Sequence, residues 1–122
     1  MQLIPDLIRE ILLTIEEKGT NYDVLTLSDF EYPEYDDDTV AYNMKLLLDE
    51  DYIIGKVQSY SDGSIDTLID RMTMAGHKYL DNVRDGVVWE ETKRTICSKL
   101  KSVSINIIST VASAIIMKKL GL

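Results

Sequence analysis

Residues 52–72 read YIIGKVQSYSDGSIDTLIDRM, and this stretch decides the fold. Residues 52–60 predict a strand, because isoleucine, valine and tyrosine predominate in them. Residues 61–64 predict a turn, since Gly63 can adopt a positive φ angle without steric cost. Residues 65–74 predict a returning strand, although their apolar spacing would also suit a helical turn. The whole stretch therefore indicates an antiparallel β-hairpin.

Helices are predicted on both sides of this hairpin. Pro5 suits the first helical position, and an apolar stripe follows it, so residues 5–18 predict a helix that ends before Gly19. Residues 23–32 predict a strand, and residues 37–51 predict a second helix with Asp36 as its N-cap. Three further helices are predicted, over residues 73–83 (or from residue 75), 89–101 and 103–119.

The order helix, strand, helix, hairpin, helix resembles that of a winged-helix domain. It predicts the α+β class: a winged-helix-like domain with a small antiparallel sheet, a wing hairpin and extra C-terminal helices. One helix of the usual helix-turn-helix pair is not evident in the sequence. We expect residues 1–88 to form the winged-helix-like part. Residues 89–122 are expected to form a helical extension, packed on that part or on a partner, within the same single domain.

Composition excludes several classes of protein. The chain has 122 residues, of which 45% are hydrophobic and 28% are charged, as in ordinary globular proteins. The chain has one cysteine, so an intrachain disulfide is excluded. Because it also has one histidine, a structural zinc site is disfavoured. The N-terminus lacks signal-peptide features, and no apolar run reaches the roughly 18–20 residues of a membrane span. We therefore expect a cytoplasmic protein without membrane contact.

Charge is distributed unevenly along the chain. Residues 1–62 carry a net charge of −11, whereas residues 63–122 carry +3. No acidic residue follows Glu91. Such asymmetry is typical either of an interaction surface or of solvated faces that differ in sign, and both interpretations stay open.

Several segments resemble one known family. They are residues 73–85 (TMAGHKYLDNVRD), 88–93 (VWEETK) and 98–104 (SKLKSVS), together with residues 6–13 and 40–47. This succession resembles the DUF2513 family of small bacterial and phage proteins. The resemblance implies a winged-helix-like layout and a phage or prophage setting, and it brings no catalytic residues. The Thr-x-x-Gly-His-x-x-Leu segment, residues 73–80, resembles the step from wing to helix in winged-helix regulators.

Catalytic and metal-binding patterns find no support in the sequence. It contains no Gly-rich phosphate loop, nucleophile elbow, metalloprotease motif or EF-hand spacing. His77 has no local pattern of catalytic partners, so a structural role is favoured over general-base catalysis. For Cys97, an inert place in a helix is favoured over a role as a nucleophile. We therefore expect neither an enzyme nor a cofactor or metal site.

The predicted helix over residues 37–51 occupies the place of a recognition helix, yet Lys45 is its single base. Acids at residues 36–38 and 49–51 bracket it, so an approach to DNA phosphates would be repulsive. The sequence therefore favours a protein partner. The family resemblance implies that this partner is a host or phage protein and that the role is regulatory or anti-defence. The candidate contact residues are Asp36, Asp37, Asp38, Asn43, Lys45 and Trp89. For Trp89, a place in the core or between helices is favoured, and the interface role is the alternative.

Two further surfaces were predicted from the C-terminal third. In the alternative function, a DNA-binding transcriptional regulator, the contacts would come from Lys93, Arg94, Lys99 and Lys101. The last helix is apolar over most of its surface, which predicts either a homodimer interface or burial within the monomer. Membrane contact is a third, less favoured alternative, because the helix is short and its lysines lie only at its ends. The dimer hypothesis assigns the contact to Ile105, Ile108, Val111, Ala112 and Ile115.

Overall fold

The computed structural model describes residues 1–99 and 103–122, and over these residues it has a mixed, α+β architecture. Its elements, in chain order, are α1 (Pro5–Lys18), a 3-10 turn (Leu27–Asp29), α2 (Asp37–Asp49), β1 (Ile53–Ser59), β2 (Ile65–Met72), α3 (Met74–Val83), α4 (Gly86–Cys97) and α5 (Ile105–Lys119). The helices and the antiparallel hairpin form a winged-helix-like fold, as predicted.

The hairpin has the predicted antiparallel pairing, with Ile53 opposite Met72 and Ser59 opposite Ile65. Its register shifts between Ile54 and Gly55, where the strand contains a bulge. Gly55 has a φ of 151°, and a Cβ there would overlap the carbonyl oxygen of Leu68. Glycine is therefore required at this bulge, because β2 passes too close for any side chain.

The strand predicted over residues 23–32 is wrong: two of its residues, Leu25 and Tyr32, form isolated β-bridges, and no continuous strand is present. Leu25 forms an isolated antiparallel bridge with Ile69, with N–H···O distances of 2.8 and 2.9 Å. After Leu25, side-chain carboxylates accept hydrogen bonds from the backbone N–H groups. Asp29, for example, accepts from the Thr26 N–H at 2.9 Å. The chain consequently bends into the 3-10 turn over Leu27–Asp29 where the sequence predicts a strand.

The first of two compact units, Met1–His77, has its core between α1, α2 and the hairpin. α1 contacts α2 and β2, and α2 contacts both strands. The largest fully buried apolar side chains of this unit are Phe30, Leu7, Ile8, Ile11, Leu12, Met44, Leu47, Ile69 and Val40. The apolar stripe of α1 is thus the inner face of the helix, as its spacing predicts.

The turn after α2 is fixed by hydrogen bonds to the end of that helix and to Thr73, the residue just before α3. Asp51 adopts a φ of 58°, and the Tyr52 N–H donates to the Leu47 carbonyl oxygen at 3.0 Å. Thr73 then donates its N–H to the Tyr52 oxygen (2.9 Å) and its hydroxyl to the Asp51 oxygen (2.6 Å). The first turn of α3 is therefore held closely against the turn after α2.

The second compact unit, Lys78–Leu122, contains the packed pair α4 and α5. α4 begins at Gly86, earlier than the predicted residue 89, because the Asp85 carboxylate caps the Val88 N–H at 2.9 Å. Ser104 likewise caps α5, which begins at Ile105. The predicted boundary between residues 88 and 89 and the expectation of a single domain both stay predictions.

Asp66 should make the stability of the fold depend on pH. Its carboxylate accepts the Leu27 N–H at 3.0 Å and the Thr67 N–H at 2.8 Å, and these bonds lower its pKa below 3.8. A lowered folded-state pKa gives stability that is present above pH 3.8 and lost as the pH falls through the folded pKa. We expect Asp66→Asn to unfold in urea at a midpoint that varies less than wild type between about pH 5 and pH 2. Equal acid sensitivity of the two proteins would contradict this role.

Candidate protein-interaction surface

The predicted acidic residues lie at the start of α2 and are held there by helix capping. Asp36 is the N-cap, and its carboxylate accepts from the Thr39 N–H at 2.9 Å. The Thr39 hydroxyl and N–H lower the pKa of Asp36, so this exposed carboxylate is ionised at neutral pH. Asp37 and Asp38 follow in the first turn, where the helix dipole favours negative charge. All three carboxylates are exposed.

Helical spacing places Asp38, Tyr42, Lys45 and Asp49 on one face of α2. Asp38, Lys45 and Asp49 are exposed, and Tyr42 is half-buried among them. Lys45 is the single base of the helix. This face is the outer face of the helix that the sequence predicts to take the place of a recognition helix.

Further acids extend the negative surface beyond both ends of α2. We use the term acidic rim for eight exposed residues: Glu31, Glu34, Asp36, Asp37, Asp38, Asp49, Glu50 and Asp51. At 1.5 Å per residue, the groups at the two ends of α2 stand roughly 18 Å apart. Within residues 1–99 and 103–122, none of these eight carboxylates forms an ion pair. The rim therefore presents its full charge to solvent.

Glu31 and Glu34 were absent from the residues predicted to bind a partner. The sequence predicts a strand over residues 23–32 that ends at Pro33, and it assigns no contact role to the acids on either side of that proline. The structure instead has a turn closed by a bridge between Tyr32 and Tyr35, immediately before α2. Both glutamates are exposed in or beside that turn. Their charge and their closeness in sequence to Asp36 were the available signals.

Asn43 is not part of this surface, which corrects the prediction that it contacts a partner. The residue is fully buried. Its Oδ1 accepts the Ile4 N–H at 2.8 Å, and its Nδ2 donates to the Gln2 oxygen at 3.1 Å and the Thr39 oxygen at 3.0 Å. Asn43 therefore holds the N-terminal segment against α2.

Trp89 is also unavailable to a partner, because only 3% of it is exposed. The Lys93 ammonium lies 5.6 Å from the centroid of its ring, a cation–π distance. Trp89 therefore lies in the core, the place that the sequence favours for it, and the alternative of an interface role is wrong.

The predicted basic contacts are divided between paired and exposed side chains. Lys93 pairs with Glu90 at 3.3 Å. Arg94 and Lys99 are exposed, and Lys101 lies outside the described residues. By sequence, unit Lys78–Leu122 has a net charge of +4, whereas unit Met1–His77 carries seventeen acids and five bases, a net charge of −12. The opposed charges foreseen from the sequence therefore belong to different compact units.

The row of α5 assigned to a homodimer is partly covered within the chain. Ile108 is 3% exposed and Ala112 is fully buried, whereas Ile105, Val111 and Ile115 are half-buried. Burial of Ile108 and Ala112 excludes them as interface residues, which corrects that assignment. A homodimer stays a prediction.

The remaining candidates show no assembled site. His77 and Cys97 are both exposed. Over residues 1–99 and 103–122, no group of three or more His, Cys, Asp or Glu side chains is arranged to hold a metal ion. A search of the same residues finds no helix with the length and apolarity needed to cross a membrane.

Comparison with known proteins places the sequence in a family. The sequence model of the family described as "Hypothetical protein (DUF2513)" matches residues 2–104. The chain belongs to the DUF2513 family. An uncharacterised protein of Haemophilus influenzae is 37% identical over 117 residues, which cover 95% of this chain and 96% of that protein. No solved structure matches the chain. The DUF2513 match includes α1–α4 and the acidic rim, and it stops at the N-cap of α5.

Proposed function

We propose that this DUF2513 protein is a non-enzymatic interaction protein that binds a basic protein surface through its acidic rim. The observation that carries the proposal is the exposed face of α2. In this proposal, α2 takes the place that the recognition helix has in winged-helix proteins. It presents carboxylates at both ends and a single lysine between them.

Electrostatics favours a protein partner over a nucleic acid at this surface. Binding of DNA draws much of its affinity from lysine and arginine side chains that neutralise phosphates. Lys45 alone could do so on α2, and eight unpaired carboxylates surround it. Arginine and lysine side chains of a protein would instead form favourable pairs with the rim, and complementary charge of this kind accelerates association.

The partner class in this proposal is a host or phage protein whose basic surface binds nucleic acid. Carboxylates about the two ends of α2 would take the place of phosphates on that surface. Such competition gives the protein a regulatory or anti-defence role. Support for the phage or prophage setting comes from the family resemblance.

A DNA-binding regulator is the second candidate function, with Arg94 and Lys99 as its contacts. Both side chains are exposed and lie at the end of α4 or just after it. Two neighbouring bases contribute less, because Lys93 pairs with Glu90 and Lys119 pairs with Glu91, each at 3.3 Å. Among the described residues near the end of α4, Arg94 and Lys99 alone are exposed bases without an ion pair, so this candidate ranks second.

Removing two rim charges should weaken the binding of a polycation. We expect Asp37→Asn combined with Asp38→Asn to lower the affinity for a labelled oligo-arginine peptide by about five-fold, since each exposed ion pair contributes on the order of 0.5 kcal/mol. Asp36 is left intact because it caps α2. Fluorescence anisotropy measures the affinity, and the difference should shrink at high salt.

The matched control for this experiment is Glu17→Gln combined with Asp23→Asn. Both residues are exposed acids of the same compact unit, so this variant loses the same net charge outside the rim. We expect it to bind the peptide nearly as tightly as wild type. Equal losses in the two variants would show that net charge, and not the rim, attracts the peptide. No binding by wild type would contradict the proposal outright.

A further inference from the structure

We draw no further inference here: the strongest candidate, the exposed apolar face of α5 formed by Ile107, Ala114 and Met117, carries none because nothing in the structure shows what covers it.

Discussion

Replacing Gly76 with alanine is expected to lower the free energy of unfolding by about 2–3 kcal/mol, as overpacking in a close contact does. A Cβ at this position would overlap the carbonyl oxygen of Tyr52 and lie 2.6 Å from Cγ of Met72. The Tyr52 carbonyl cannot move away freely, because it accepts the Thr73 N–H at 2.9 Å. Urea denaturation followed by circular dichroism measures the loss.

Gly86→Ala is the matched control for this variant. Gly86 also lies in the first turn of a helix, but a Cβ there meets no atom within 4 Å. We expect the control to leave stability unchanged or to raise it by up to about 1 kcal/mol, since alanine restricts the unfolded chain. Unfolding of both variants at the same urea concentration would contradict the close contact between Gly76 and the Tyr52 carbonyl.

Replacing Asn43 with alanine is expected to cost about 2–3 kcal/mol, because a buried hydrogen-bonded group is lost and a cavity remains. The Ile4 N–H would lose its acceptor, and the Gln2 and Thr39 carbonyl oxygens would lose a donor. The N-terminal segment should then detach from α2 more often. Urea denaturation measures the cost, and amide hydrogen exchange at Ile4 reports the detachment directly.

Asn21→Ala serves as the control for the Asn43 variant. Asn21 is exposed in the loop after α1, so we expect its replacement to change stability by no more than about 0.5 kcal/mol. Unchanged exchange at Ile4 in the Asn43 variant would show that this amide does not hold the N-terminal segment. Faster exchange at Ile4 together with a lower urea midpoint is the expected result.

The hairpin and the helices could be predicted because their signals are local. A turn at Gly63 and an apolar stripe from Leu7 to Ile15 each follow from short-range geometry. The segment over residues 23–32 could not be predicted correctly, because its conformation depends on distant partners. Leu25 pairs with Ile69, and Asp66 accepts the Leu27 N–H, both across about forty residues of sequence.

The part of the candidate surface whose signals are local in sequence could also be predicted. Asp36 caps α2, and Asp37 and Asp38 follow in its first turn, so sequence position alone places these three surface charges. Asn43 was misplaced because its polar side chain suggested exposure. Its spacing from Val40 and Leu47, three and four residues away, nevertheless put it on the inner face of α2. Periodicity was the better guide than polarity at this position.

The measurement that tests the central claim most directly is fluorescence anisotropy of a labelled random DNA duplex titrated with the protein at about 50 and 200 mM salt. We expect no binding at either salt concentration, because the acidic rim repels phosphates. Binding at the lower concentration that falls steeply at the higher one would contradict the account. The contact surface would then have to be sought at Arg94 and Lys99.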